Sequence, residues 1–306
     1  MAKKTPEKGE ASSFKRLIEI GIALSAERDT SRLMETILLE AKSLSNADGG
    51  TLYLSDKDGN LKFEIMRTDS LNIAMGGTTG KEITFPPVRL YDPDTGKENR
   101  SNVASSTALT GKSINIQDAY DSQDYDFTGT KKFDEGTGYR SQSFLTVPMK
   151  NSQDDVIGVL QLLNAQAPDS RKVIPFGSDI QPLIEALASQ AAVALDNKLL
   201  LDAQKDLLDS FIELIGSAID SKSPYTGGHC QRVPELTKML AKAACGQTDG
   251  AFADFALDEE EWYELHIAAW LHDCGKVTTP EYVVDKATKL ETIYDRIHEI
   301  RTRFEV

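Results

Sequence analysis

The stretch "SFLTVPMKNSQDDVIGVLQLLN", residues 143–164, decides the fold. Apolar residues alternate with others on either side of a polar centre, the pattern of two half-buried strands joined by a short turn. Working outward, "TLYLSDKDGNLKFEIMR" at 51–67 alternates in the same way around Asp58-Gly59-Asn60, with glycine where a hairpin turn needs a positive φ. Ahead of it, Phe14, Leu17, Ile18 and Ile22 recur at a helical period. The "DTS" at 29–31 offers an N-cap for a second amphipathic helix through Leu33, Ile37, Leu38 and Ala41. Between the hairpins, residues 68–142 are rich in Gly, Asp, Ser and Thr, with short helical or strand pieces at "NVASSTALTG" and "SINIQD". Polar connections of this length inside a domain are usually lids or binding loops.

After "PFGSD" the pattern turns helical, with Ile180, Leu183, Ile184, Leu187, Ala191 and Leu195 continuing through Leu207, Leu208, Phe211, Ile212 and Ile215. If unbroken, this helix spans about 60 Å at 1.5 Å per residue, more than one domain needs to cover its own sheet. It reads as a rod connecting domains, with an apolar stripe that a second copy of the chain would cover. The competing reading is two shorter helices broken near "LDNK", 195–198.

The chain has 306 residues and carries 48 acidic against 34 basic side chains, a net charge of -14. That length suits about two domains. The charge argues against binding a nucleic-acid polymer through its phosphates. The opening "MAKKTPEKGEASS" lacks the apolar core of a signal peptide, and no stretch approaches the roughly eighteen apolar residues of a membrane span. A cytoplasmic protein with a disordered tail over 1–13 is expected. Cys230, Cys245 and Cys274 form no CxxC spacing and read as reduced thiols. All three cysteines and all four histidines (His229, His266, His272, His298) lie in the last third. Their absence from the first two hundred residues disfavours a zinc site, a histidine- or cysteine-ligated haem and a thioether-linked chromophore there.

In that last third, "DEEEWYELHIAAWLHDCGK" starts at Asp258, an N-cap followed by glutamates, and reaches Gly275, a candidate C′ glycine. His272 and Asp273 then fall on the last helical turn, where a carboxylate opposes the helix dipole unless a cation compensates. Imidazole with carboxylate suits iron, manganese or similar ions rather than calcium, and a carboxylate can bridge two of them. Lys276 adds an ammonium for a phosphate oxygen. By itself an adjacent His-Asp pair is a weak signal. His266 lies two turns before Asp273 on the same helix and reads as a packed or partly exposed core histidine.

The run "FDEGTGYRSQSFLTVPMKNSQDDVIGVLQLLN", followed by "FGSDIQPLIEALASQAAVALDN", resembles a GAF domain of the cyclic-nucleotide-binding kind. The resemblance implies an α+β domain over 14–180, an antiparallel sheet with flanking helices. That kind of domain carries a polar clamp, a lysine after the LxN and a later F-x-x-x-D-E. Here Asn164 is present, but Ala165 replaces the lysine, and Phe176 is followed by Asp179 and then Ile180. The ligand therefore stays open between a cyclic nucleotide, another small molecule, and none beyond dimerisation. Ser105, Ser106, Thr107 and Phe127 offer polar and stacking groups for a cavity. "GTGYR" at 136–140 reads as loop glycines making a turn.

"DSKSPYTGGHCQRV" at 220–233, with "HDCGK" and Pro280, resembles the HD-GYP subfamily of HD-domain metal-dependent phosphohydrolases, which hydrolyse cyclic dinucleotides, chiefly cyclic di-GMP. The resemblance implies a connecting helix over 181–215 and an incomplete all-α domain over 216–306. It implies His229, His272 and Asp273 as metal ligands, Lys276 and Asp273 as catalytic groups, and two or more iron or manganese ions in the complete domain. His298 follows a "KATKL" segment where the family's next ligand histidine comes, yet "HEIRTRF" departs from the family's His-Pro. A surface histidine on an amphipathic helix through Ile293, Ile297, Ile300 and Phe304 is the other reading. The later motifs have no counterpart before "RTRFEV", so the expectation is a fragment with little diesterase activity alone.

The leading expectation is thus a homodimeric signalling protein in which a sensor domain controls a cyclic-dinucleotide phosphodiesterase. A catalytically inactive ligand-binding scaffold is the alternative. An HD phosphohydrolase acting on mononucleotides or alarmones fits the His-Asp pair but not the "SPYTGGH" loop.

Overall fold

The structure is a computed structural model and describes residues 8–222, 228–280, 283 and 297–306. The "SPYTG" segment, "KATKL" and residues 1–7 lie outside the described residues. The chain divides into two compact units, Met1–Leu200 and Leu201–Val306.

In the first unit, helices α1 (Lys8–Ala26) and α2 (Thr30–Ser45) lead into strands β1 (Ala47–Ser55), β2 (Asn60–Thr68), β3 (Ile73–Gly76) and β4 (Val88–Arg89). Then come α3 (Val103–Thr110), β5 (Ile114–Ile116), α4 (Thr128–Thr137), β6 (Phe144–Lys150), β7 (Val156–Gln166) and β8 (Val173–Ile174). The strands form one antiparallel sheet in the order β3-β2-β1-β7-β6-β5, with β4 beside β2 and β8 beside β7. Both expected hairpins are present, β1–β2 with Gly59 at φ 76° and β6–β7 with Asp154 at φ 67°. α1 begins at Lys8 rather than at Phe14, so residues 8–13 are helical and not part of a disordered tail. Glu10 and Ala11 favour helix, and a helix already started costs little to extend by another turn.

Alternation along the strands sorts the sheet into two faces. Leu52, Leu145, Val147, Leu160 and Leu162 point to one side, into a core with Leu33, Ile37 and Leu38 of α2 and Ile184, Leu187 and Leu195 downstream. Asp29 caps α2 as expected, accepting from the Arg32 amide at 2.7 Å. Gly50 leaves room for α2, since a Cβ there would lie 2.8 Å from the Leu38 side chain. Tyr53, Val159, Phe144 and Phe127 belong to two smaller clusters on the other side.

α5 runs unbroken from Ile180 to Lys222, so the alternative of a break near 195–198 does not hold. It carries the chain from the first unit into the second, which continues with α6 (His229–Cys245), α7 (Glu259–Leu271) and α8 (Ile297–Glu305). α6 packs on α7, and Trp270 comes so close to Gly216 that a Cβ there would lie 2.8 Å from its ring. Asp258 starts α7 with a complete capping box, its side chain on the Glu261 amide and Glu261 reaching back. The end of α7 differs from expectation. It stops at Leu271, a 3-10 turn follows over Cys274–Val277, and Gly275 is not its C′ residue. Among the described residues, no helix is long and apolar enough to cross a membrane.

Candidate functional site

The second unit brings His229, His272 and Asp273 together. His229 is the first residue of α6, entered from Gly228 at φ 71°, a conformation that favours glycine. His272 directly follows α7. Its Nδ1 lies 2.7 Å from the carbonyl oxygen of Ala269. A carbonyl only accepts, so Nδ1 carries a proton and Nε2 is the ring nitrogen that faces the other two side chains. That Nε2 is 3.1 Å from Nε2 of His229 and 3.3 Å from Oδ2 of Asp273, and His229 Nε2 is 3.5 Å from the same oxygen.

The Lys276 ammonium already meets that Asp273 oxygen, and a proton or a further cation among the two imidazole nitrogens and the carboxylate relieves the remaining repulsion. Donors about 2.1 Å from one cation sit about 3.0–3.4 Å apart in octahedral or tetrahedral arrangement, so the spacing fits a metal. Two imidazoles and a carboxylate suit iron, manganese or zinc better than calcium. Burial pushes the Asp273 carboxyl up, but its contact with the Lys276 ammonium and the nearby imidazoles hold it below the usual carboxylate range. It therefore stays anionic at neutral pH. Cys230 beside His229 is no thiolate, because burial and the Asp220 carboxylate push its thiol up to about 11.

His298 does not join them. It lies at an exposed position of α8, outside the three-residue cluster found among the described residues. His266 stands between Tyr263 and Trp270, ring centroids 6.4 and 6.5 Å away, on the wall of an open groove of about 600 Å³. It is a partly exposed packing residue, as its sequence position suggested.

The first unit holds a cavity of about 350 Å³ on the sheet face away from α2. Tyr53, Phe63, Phe127, Phe133 and Phe144 give it aromatic walls, with Thr51, Asn102, Asp126 and Gln161 as polar points. Phe127 is where the sequence placed it. Ser105, Ser106 and Thr107 are buried in α3 but do not line the cavity, which is met by Asn102, Val103 and Ala104 at the start of that helix.

α4, which supplies Phe133, has no apolar period and escaped sequence reading. Its position comes from polar anchors. Asp134 accepts from the Tyr120 hydroxyl at 2.9 Å and from the Ser141 amide and hydroxyl at 2.8 Å each. Beyond Gly138 at φ 68°, the Tyr139 hydroxyl donates to buried Asp48 at 2.6 Å. Gly136 and Thr137 belong to α4, so "GTGYR" is the end of a helix, capped at Gly138, and an anchor rather than a turn of loop glycines.

A family model for the GAF domain matches residues 29–195, more than half of the chain. The chain belongs to the GAF domain family. In this GAF domain Asn164 keeps a structural task although Ala165 and Ile180 stand where the clamp has charged groups. Its Oδ1 accepts from the amides of Gln142 and Ser143, at 2.7 and 3.2 Å, and its Nδ2 donates to the Arg140 carbonyl at 2.8 Å.

A 3'3'-cGAMP-specific phosphodiesterase 3 of Vibrio cholerae is 33% identical over 93 residues, 29% of this chain and 18% of that protein. A dual 3',5'-cyclic-AMP and -GMP phosphodiesterase 11A of Takifugu rubripes is 24% identical over 209 residues, 67% of this chain and 21% of that protein. The chain spans about a fifth of the length of these relatives. Among solved structures, the GAF domain from an Acinetobacter phosphoenolpyruvate-protein phosphotransferase aligns with 12% identity and a TM-score of 0.45, covering 63% of this chain and 98% of that one.

Proposed function

We propose that the chain is the sensing and metal-binding part of a signalling phosphodiesterase. Its GAF domain takes a small ligand, a cyclic nucleotide among the candidates. An HD-GYP-type domain beginning near residue 216 hydrolyses a cyclic dinucleotide, cyclic di-GMP. The observation that carries this reading is the convergence of His229, His272 and Asp273, residues from separate elements whose donor atoms lie 3.1–3.5 Å apart. The likeness to a phosphodiesterase named for 3'3'-cGAMP supports a cyclic dinucleotide as the substrate class.

His229, His272 and Asp273 would hold the first of two or more divalent iron or manganese ions, which when bound supply a Lewis acid and an acidified water. The residues present prepare that chemistry. Ala269 orients the His272 ring, Asp273 stays ionised, and Lys276 holds an ammonium against Asp273 that would also meet a phosphate oxygen of a bound substrate. Leu207, Leu208, Phe211 and Leu214 on α5 are exposed, and the same helix of a second copy would cover them in a cytoplasmic homodimer. Ligand in the GAF cavity would then act on the enzyme by favouring one packing of that helix pair.

The test is hydrolysis of cyclic di-GMP by the full-length protein with manganese, beside its Asp273→Asn variant. Turnover in the first and none in the second is expected. Equal turnover in both, or none in either, contradicts the proposal.

A further inference from the structure

α6 opens without a cap of its own, since Gly228 at its N-cap position has no side chain to offer. The first amides of a helix need partners from outside it. One of them, the amide of Cys230, donates to Oδ2 of Asp220 at 3.0 Å. Asp220 lies near the C-terminal end of α5, where a carboxylate faces the negative end of its own helix dipole. At the start of α6 it meets a positive end. Asp220 is 9% exposed, and its other oxygen, Oδ1, is buried with no hydrogen-bond partner among the described residues. Burying a half-satisfied carboxylate opposes folding. As a simple cap, a serine or threonine would serve α6 with less penalty. What Asp220 adds is a fixed point from another helix, one residue from His229.

We infer that Asp220 is the positioning residue of the His229–His272–Asp273 cluster. By holding the Cys230 amide it sets the first turn of α6, and with it the direction in which His229 presents Nε2 to the other two donors. A rotation of that turn would carry His229 away while leaving His272 and Asp273 in place, because those two are set by α7 and the turn after it. This inference rests on the metal-binding reading above.

The experiment measures manganese affinity and hydrogen exchange of the first turn of α6 in the whole chain, for wild type, Asp220→Ala and Asp220→Asn. Loss of a residue that orients a ligand typically lowers metal affinity about 10–100-fold. Asp220→Ala is expected to show that loss with faster exchange at Cys230. Asp220→Asn keeps an oxygen acceptor and is expected to restore most of both. Equal affinity in wild type and Asp220→Ala overturns the role of Asp220 alone. Wild type that binds no manganese overturns the metal reading itself. Where the alanine variant does not fold, the asparagine variant decides: a loss as deep as that of His229→Ala overturns the inference.

Discussion

His272 donates its Nδ1 proton to the carbonyl of Ala269, 2.7 Å away, and so turns its Nε2 toward His229. The contact performs two tasks. It satisfies one of the carbonyls left open where α7 ends, and it places the proton on Nδ1, so that Nε2 is the nitrogen turned toward His229 and Asp273. The helix stops at Leu271, and the side chain of the next residue takes over the Ala269 carbonyl.

Tyr139→Phe tests the anchor of α4. Burial pushes the Tyr139 hydroxyl up, and the hydrogen bond to Asp48 and that carboxylate's charge push it further, so it stays protonated over the usual range. Removing it should destabilise the GAF domain by roughly 1.5–3 kcal/mol, since the lost bond is to a charged, buried acceptor. Its contribution is present below the unfolded tyrosine value of about 10 and is lost as pH rises toward the raised folded value. Urea unfolding at pH 7 and at pH 10.5 checks both, and the variant should lose less than wild type between them.

Glu35 governs the acid side. Burial raises its carboxyl, but hydrogen bonds from Thr78 and Arg67 and the Arg67 charge bring it below its ordinary value of 4.5. The unfolded chain then takes up the proton first. The stabilisation is complete above about 4.5 and fades as pH falls through the lowered folded value. Glu35→Gln should flatten the loss of unfolding midpoint between pH 5 and 3. Glu35→Ala should cost roughly 3 kcal/mol at pH 7, because it leaves the Arg67 guanidinium buried without its partner.

Gly158 marks a close approach in the sheet. A Cβ there would lie 2.4 Å from the carbonyl oxygen of Tyr53, a backbone atom that cannot step aside. Gly158→Ala is expected to destabilise by roughly 1–3 kcal/mol, visible as a lower thermal midpoint for the first unit.

Asp258→Ala removes the capping box of α7 and should destabilise the second unit by roughly 0.5–2 kcal/mol. Helical circular dichroism during urea unfolding reads it.

The sequence disclosed what period and punctuation carry. Both hairpins, α2 with its Asp29 cap, the unbroken α5 and the Asp258 cap were all legible, because each leaves a local pattern of apolar spacing or turn residues. The pairing of His229 with His272-Asp273 came through resemblance, since 43 residues separate His229 from His272 and no local signal joins them. α4 and the early end of α7 were not legible. α4 is fixed by Asp134 and Tyr139 bonding to residues of other elements, and α7 ends where a side chain, not a glycine, takes over its carbonyl. The α3 serines were misplaced for a related reason: which turn of a short helix meets a cavity depends on packing. Asp220 opens the "DSKSPYTGGHCQRV" run, but nothing in that run marks it as a cap, and its role rests on one contact between the ends of two helices.

The central claim is that His229, His272 and Asp273 assemble a metal site. Its most direct test is metal content by mass spectrometry of the purified chain, beside His272→Ala prepared in parallel. The account predicts near-stoichiometric iron or manganese in the wild type and its loss in the variant. Negligible metal in both, or equal metal in both, would contradict it.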